Sequence, residues 1–273
     1  MASDPLLPGP LWFVGCGHMG SAMLQGWLAS GVEPRHVTII RPSGRPVADG
    51  VRVLTDYPED EVPAIVLLAM KPHQLDLVAA PLASALDAAT MLVSILAGVE
   101  LASLRRRFTA PRTLVRAMPN LPVSLGRGVV GLFGETADLT ARAELMGLMA
   151  ALGHAEWFED EQAFDLVTAL AGSGPAFVYR FIEALAEGAA SLGMPAEQAH
   201  RLAIATAGGA AALAAHEGVG LAELAARVTS PGGTTQAGLE VLDADDALAA
   251  LVADTLRAAR RRGQELAAAA RRS

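Results

Sequence analysis

A short apolar run leads directly into a glycine-rich turn at residues 11–20, whose sequence is LWFVGCGHMG. Gly15, Gly17 and Gly20 have G-x-G-x-x-G spacing, and a helical pattern follows them immediately. In this strand–turn–helix setting the glycines allow a tight turn, and backbone amides can approach a pyrophosphate at the positive end of the helix. The segment predicts a dinucleotide-binding turn, with a purely structural glycine turn as the alternative.

The side chains between these glycines are Cys16, His18 and Met19, which occupy the variable positions of the motif. We place them beside the cofactor. We assign no chemistry of their own to Cys16 and His18, because one cysteine next to one histidine does not make a metal site.

Short β-type runs alternate with helical stretches in the first half of the chain. The predicted strands are residues 11–14, 37–40, 64–69, 91–95, 113–117 and 129–133. Continuous apolar runs separated by helices indicate a parallel α/β sheet that is covered on both faces. After residue 158 we find helical patterns and no convincing strand. We therefore predict a dinucleotide-binding domain at 1–158 and a helical domain at 159–273.

Composition excludes several classes of protein. The 273 residues carry a formal net charge of −8, one cysteine, and a single lysine (Lys71) beside 20 arginines. One cysteine excludes internal disulfides and multi-thiolate metal sites, and the net acidity argues against nucleic-acid binding. The six histidines form no H-x-x-H or H-x-x-x-H pair, so we expect no metal. Without a signal-peptide pattern or an apolar run near the roughly 20 residues that span a bilayer, we expect a cytoplasmic protein.

The end of the second predicted strand bears on the choice of cofactor. Where a site for NAD usually has an acidic residue, this chain has Arg41 and Ser43. A guanidinium and a hydroxyl suit the 2′-phosphate of NADP(H), although both residues could equally be ordinary solvated loop residues.

Three further strand exits are predicted to meet the glycine turn at one edge of the sheet, where such sheets bind ligands. They contribute Ala69, Met70, Lys71 and Pro72 from the third strand, Ala97 from the fourth, and Asn120 from the fifth. Asn120 could hydrogen bond near the nicotinamide or its ribose, or the Met-Pro-Asn step could simply be a turn.

A second run of small residues precedes a helix in the C-terminal half. It includes Ser230, Gly232, Gly233, Thr234 and Thr235. Exposed amides at a helix start make a seat for a small carboxylate. In isolation, such a stretch is more often a helix–helix turn with a Ser or Thr cap.

Taken together, these motifs resemble the pyrroline-5-carboxylate reductase family. The resemblance runs from Leu11 to about Leu266, and its most specific part is VTSPGGTTQAGLEVLD at residues 228–243. The motifs come in the order of the family: residues 15–20, 69–72, 118–120, 172–176 and 228–243.

The resemblance implies a Rossmann-type N-terminal domain, followed by an all-α C-terminal dimerisation domain. It also implies hydride transfer from NAD(P)H to the C=N carbon of 1-pyrroline-5-carboxylate, which gives L-proline. NADP(H) is the preferred cofactor and NAD(H) the alternative. The partner is a second copy of the chain, with a decamer of five dimers as a further assembly; the alanine-rich C-terminal half, which buries little area per residue, agrees with this.

By the same resemblance, the substrate carboxylate binds amides of the turn at Gly232, Gly233 and Thr234, with Ser230 nearby. Thr235 matches the position whose hydroxyl hydrogen bonds the ring nitrogen, so we assign it as the catalytic residue, for orientation or proton relay. An alternative is another NADP-dependent imine or β-hydroxyacid oxidoreductase, or a non-catalytic NADP(H)-binding protein; the SPGGTT turn favours the reductase.

Two departures from the family concern the cofactor. Residues 44–53 are too few for the helix expected between the second and third strands. Asp56 replaces an asparagine that is common in the family near the adenosine end, and its carboxylate would oppose a 2′-phosphate.

Overall fold

The computed structural model of the chain describes residues 6–134 and 138–270. Among these residues, eight strands form a single sheet. The strands are β1 (Leu11–Val14), β2 (Val37–Ile40), β3 (Arg52–Leu54), β4 (Ile65–Leu68), β5 (Met91–Ser94), β6 (Thr113–Pro119), β7 (Gly128–Gly134) and β8 (Gly153–Trp157).

The sheet has the order β3-β2-β1-β4-β5-β6-β7-β8. The strands from β3 to β6 are parallel, β7 runs antiparallel to β6, and β8 is parallel to β7. The order reverses between β1 and β4, so their carboxyl ends flank the position where doubly wound sheets bind ligands.

Helices associated with the sheet follow its strands along the chain. They are α1 (His18–Ala29), α2 (Leu75–Ala83), α3 (Leu101–Arg107), α4 (Leu139–Ala150) and α5 (Ala163–Val167). Alternate side chains of β1 enter two separate cores: Leu11 and Phe13 join one, whereas Trp12 and Val14 join the other. Both faces of the strand are therefore buried, which is why its sequence is a continuous apolar run.

Three features of the sheet differ from the sequence prediction. β3 was not predicted, because it has three residues and begins with an exposed arginine. β8 was missed because its residues alternate between half-buried and exposed positions, which weakens the apolar signal. β6 runs to Pro119, beyond the predicted end at residue 117, because it pairs with β7 as far as that residue.

The expected absence of a helix after β2 is confirmed for the described residues 41–51, which contain turns and irregular chain before β3. The shortened connection brings β2 and β3 together directly. Ile40 pairs with Leu54, so the two strands end side by side at the carboxyl edge.

The remaining helices lie after residue 158, in the part of the chain where the sequence predicts helix and no strand. They are α6 (Gly174–Ser191), α7 (Ala196–Glu217), α8 (Leu221–Arg227), α9 (Thr234–Asp243) and α10 (Ala247–Ala270). The buried cluster within this part of the chain consists of three alanines, Ala186, Ala199 and Ala203. Large apolar side chains such as Leu192 (90% exposed) and Val241 (75% exposed) remain open to solvent in the single chain.

Packing divides the chain into two compact units. The first extends to Ser173 and resumes at Ala259, and the second is Gly174–Ala258. Residues 159–173 therefore pack with the first unit.

Among the described residues, no single helix is long and apolar enough to cross a membrane; only α7 and α8 taken together, across a 118° bend, meet the length and composition criterion.

Candidate active site

The turn between β1 and α1 has a shape that requires glycine. Gly15 has φ +77°, and a Cβ at this position would lie 2.8 Å from Cβ and 3.0 Å from Cα of Met70. Helix α1 begins at His18 with Gly17 as its N-cap; among the described residues, no cap side chain bonds this helix start and its first turn holds no acid. The first amides of α1 are thus suited to bind an anionic group.

A cavity of about 550 Å³ opens over this turn at the carboxyl edge of the sheet. We call it the glycine-turn cavity. It brings together most of the predicted cofactor residues, namely Gly15, Cys16, Gly17, His18, Met19, Gly20, Arg41, Ser43, Ala69, Met70 and Lys71.

The glycine-turn cavity also contains three residues that the sequence analysis missed: Pro42, Gln74 and Ile95. Each lies within three positions of a predicted residue in the sequence. Extending the predicted site to all residues of the loops that follow the strands would therefore have included them. A local hydrogen bond orients the Gln74 side chain: its Oε1 accepts from the backbone amide of Lys71 at 3.1 Å. Pro72 begins the short 3₁₀ turn that carries Gln74 and is half-buried.

Asp56 lies at the same edge as the Arg41–Ser43 loop, although it does not line the cavity. The Arg41 amide donates to the Leu54 carbonyl at 2.9 Å, which joins the exits of β2 and β3. Asp56 is exposed two residues after β3 and accepts a hydrogen bond from Thr55 Oγ1 at 2.8 Å. Arg41 and Asp56 therefore each lie within two residues of the ends of two paired strands.

The Cys16 thiol lies in the cavity wall without the features of a reactive cysteine. Burial raises its pKa, a change that its contact with Ser21 Oγ at 3.4 Å and the charge of Arg41 only partly oppose. A raised pKa keeps the sulfur in the unreactive thiol form. The placement agrees with our assignment of no chemistry to Cys16.

Ala97 lies in a second cavity of about 590 Å³, whose lining includes Gly98, Arg116 and Met118. Ile95, two residues earlier, lines the glycine-turn cavity. The loop after β5 therefore borders both cavities.

Asn120 follows β6 directly and is buried (6% exposed). Its Nδ2 donates to the Ala171 carbonyl at 3.0 Å, and its Oδ1 accepts from the Val129 amide at 2.8 Å. Both ends of the amide thus tie parts of the first unit together. The contact with the cofactor stays a prediction.

The residues predicted to bind a carboxylate form one tight turn before α9. Gly232 has φ +70°, and Gly233 is the N-cap of the helix. The Gly233 amide donates to the Ser230 carbonyl at 3.0 Å, and the Gly232 amide donates to Gln236 Oε1 at 2.8 Å. These two amides are thus used inside the turn, and the glycines contribute shape rather than donors.

The donors that this turn can offer are the amides of Thr234 and Thr235. Both lie in the first turn of α9, where helix geometry leaves N–H groups without partners in the helix. The side chain of Thr235 is half-buried, whereas Thr234 is exposed. The turn can therefore bind an anionic group next to a threonine hydroxyl.

Among the described residues, no group of three or more His, Cys, Asp and Glu side chains is arranged to hold a metal ion. The site does fit a dinucleotide. The absence of a Cβ at Gly15 allows the tight turn, the α1 amides suit a pyrophosphate, and the Arg41 side chain suits a phosphate. A glycine turn at the reversal point of a parallel sheet, with a basic residue after β2, defines a Rossmann-type oxidoreductase that uses NAD(P)H.

Comparisons with known proteins narrow this class. Residues 161–266 match the family model for pyrroline-5-carboxylate reductase dimerisation, and residues 10–98 match one for coenzyme F420-dependent NADP oxidoreductases. The pyrroline-5-carboxylate reductase of Pseudomonas aeruginosa is 37% identical over 93% of this chain and 96% of its own. That of Synechocystis is 35% identical over 94% of this chain and 97% of its own.

A solved structure agrees with these relatives. A pyrroline-5-carboxylate reductase from Coxiella burnetii superposes with a TM-score of 0.88 at 32% identity, covering 94% of this chain and 98% of its own. The chain belongs to the pyrroline-5-carboxylate reductase family, which confirms the resemblance and the fold class expected from the sequence.

Proposed function

We propose that the chain catalyses the last step of proline biosynthesis, the NAD(P)H-dependent reduction of 1-pyrroline-5-carboxylate to L-proline. The observation that carries this proposal is the turn before α9. In this turn Gly232 has a left-handed backbone, and Gly233 lies so close to Ser230 that an added Cβ would be 2.5 Å from Ser230 Oγ. This shape leaves a binding position for a carboxylate beside Thr235.

The glycine-turn cavity would hold the cofactor, with NADPH preferred and NADH as the alternative. Its pyrophosphate would bind the first amides of α1, and Arg41 and Ser43 would contact the 2′-phosphate. The loop with Ile95 and Ala97 borders both cavities and would lie along the nicotinamide half. When bound, NADPH supplies the hydride.

The residues of the α9 turn would orient the substrate. The amides of Thr234 and Thr235 bind the carboxylate, and the Thr235 hydroxyl hydrogen bonds the ring nitrogen. A neutral imine is a poor hydride acceptor, and a threonine hydroxyl is too weak an acid to protonate it unaided, so Thr235 orients or relays a proton. Positioning then supplies most of the catalysis, on the order of 7–11 kcal/mol at best.

The test is oxidation of NADPH by the purified protein with 1-pyrroline-5-carboxylate, compared with Thr235→Ala. Turnover by the wild type with a lowered kcat in the variant supports both the function and the role of Thr235. If the protein does not turn over this substrate but reduces another imine or oxidises a β-hydroxyacid, the proposed function is wrong and the protein is a related oxidoreductase. NADPH binding without turnover of any of them would indicate a binding protein.

We propose a homodimer as the working unit, with a decamer of five dimers as a further assembly. Among the side chains that the structure describes, helices α6 to α10 expose many large apolar groups, and their buried cluster consists of three alanines. Exposed apolar area of this extent is typical of a surface that a partner covers. The dimerisation family model spans the same helices, and a second copy of the chain is the partner that fits it.

We retain 1–158 and 159–273 as the functional domains, since the dimerisation model begins at residue 161. The cytoplasm is our proposed location, on the grounds of the sequence composition.

We expect Asp56→Asn to raise the preference for NADPH over NADH, measured as the ratio of kcat/KM values, by about fivefold. The substitution removes a carboxylate that would oppose the 2′-phosphate, and two like charges about 4 Å apart repel by about 1 kcal/mol in bulk water. Asp49→Asn is the matched control, because Asp49 is an exposed acid before β3, at the opposite edge of the sheet. Equal ratios for both variants would mean that Asp56 does not sense the phosphate.

A further inference from the structure

A single carboxylate connects two distant parts of the first unit. Glu161 Oε1 lies 2.7 Å from Nη1 of Arg116 in β6 and 2.9 Å from the backbone amide of Leu101 at the start of α3. Arg116 is buried (7% exposed), and its guanidinium stacks on the Phe164 ring with Cζ 4.8 Å from the centroid. Glu161 therefore neutralises a buried charge and caps a helix at the same time.

The capped helix fixes one end of the loop that borders both cavities. This loop, residues 95–100, leaves β5 and enters α3 at Leu101. Its described hydrogen bonds include Ile95 N to Leu68 O at 3.2 Å, Leu96 N to Ser94 Oγ at 3.3 Å and Val99 N to Leu96 O at 3.3 Å. At the other end of the loop, the Glu100 carbonyl accepts from the Ser103 amide at 3.0 Å within the first turn of α3. The bond of 2.9 Å at Leu101 is charge-assisted and comes from a segment 60 residues away, so Glu161 ties the start of α3 to a distant part of the chain.

We propose that Glu161 is a positioning residue for the cofactor: its carboxylate holds the start of α3 and so keeps the Ile95 and Ala97 loop in the conformation that binds NADPH. This inference rests on the proposed function, in which that loop lies along the nicotinamide half. Glu161 and Arg116 also line the second cavity together with Ala97, and the role that we assign to Glu161 is to hold the loop rather than to bind the cofactor.

The experiment compares Glu161→Ala with Glu159→Ala. Glu159 is two residues earlier and also pairs with an arginine, Arg142, at 2.8 Å, but it is 82% exposed, and its described ion pair reaches α4 rather than α3 or β6. We expect Glu161→Ala to raise the Kd and KM for NADPH about tenfold, as for a lost charge-assisted bond, with KM for the substrate unchanged. Glu159→Ala should leave all three values within about twofold.

Two further variants separate positioning from general destabilisation. Glu161→Gln retains the acceptor oxygen for the Leu101 amide and should restore the Kd for NADPH to within about threefold of the wild type. The double variant Arg116→Met/Glu161→Met removes the buried charge together with its partner, so the chain is expected to fold, yet it still lacks the cap. This double variant should therefore show the same raised Kd for NADPH as Glu161→Ala.

An unchanged NADPH Kd in a folded Glu161→Ala or double variant would overturn the proposal. So would equal increases in Kd for Glu161→Ala and Glu159→Ala, or no recovery with glutamine. Because Kd is measured by titration without turnover, a failure of this proposal is distinguishable from a failure of the proposed function, in which the wild type binds NADPH but does not reduce the substrate.

Discussion

Replacing Gly233 with alanine is expected to lower kcat/KM for 1-pyrroline-5-carboxylate about 100-fold, with little change in the Kd for NADPH. An added Cβ would lie 2.5 Å from Ser230 Oγ and 3.0 Å from the Ser230 carbonyl oxygen. Rotation of the Ser230 side chain can relieve the first overlap, but the carbonyl oxygen belongs to the backbone. The turn is therefore expected to shift, so that the amides of Thr234 and Thr235 no longer point at one anionic group. Two bonds to a charged group, at about 1.5–3 kcal/mol each, account for a loss of this size.

Steady-state kinetics with varied substrate measure this effect, and a fluorescence titration with NADPH provides the internal control. A folded Gly233→Ala variant with wild-type kcat/KM would show that the turn does not bind the substrate. A parallel loss of NADPH affinity would instead indicate global damage.

Gly15→Ala is expected to weaken NADPH binding about 100-fold and to lower the free energy of unfolding by about 2–4 kcal/mol. Gly15 has φ +77°, which an alanine adopts only with strain, and its Cβ would overlap both the side chain and the backbone of Met70. Backbone cannot swing away as a flexible side chain can, so β1 and β4 must separate locally. The first amides of α1 then move away from the pyrophosphate.

The matched control is Gly147→Ala, which makes the same chemical change inside α4. Gly147 is exposed, and a Cβ there meets nothing within 4 Å, so alanine should stabilise the helix by about 0.5–1 kcal/mol. Urea unfolding and NADPH titration of both variants check the pair. If Gly15→Ala behaves like Gly147→Ala, the turn tolerates a side chain and the close packing against Met70 is not required.

The parallel sheet could be predicted from the sequence because burial on both faces produces an unmistakable pattern. β1, β2, β4 and β5 are all four-residue runs without an exposed side chain. The strands at the margins lack this signal. β3 is held by pairing with β2 and by the Arg52 bond to Thr38 rather than by its own apolar content.

The candidate site was predictable where chemistry follows directly from local sequence. The glycine turn, the Arg41 loop and the Lys71 exit are all contiguous motifs, and the structure brings them to one cavity. Contacts between distant segments could not be predicted in this way. Asn120 bonds Val129 and Ala171, which are 9 and 51 residues further along the chain, and Glu161 bonds the start of a helix 60 residues before it. Neither role therefore has a local signature.

The single lysine has a chemical consequence. Lys71 is exposed and lines the glycine-turn cavity, while the other basic positions of the chain are arginines. A reagent or an acyl donor that is selective for lysine side-chain amines therefore has one target in the whole sequence, and that target is at the cofactor cavity. The degree of modification at Lys71, measured separately from that of the N-terminal α-amine, thus reports directly on access to this cavity.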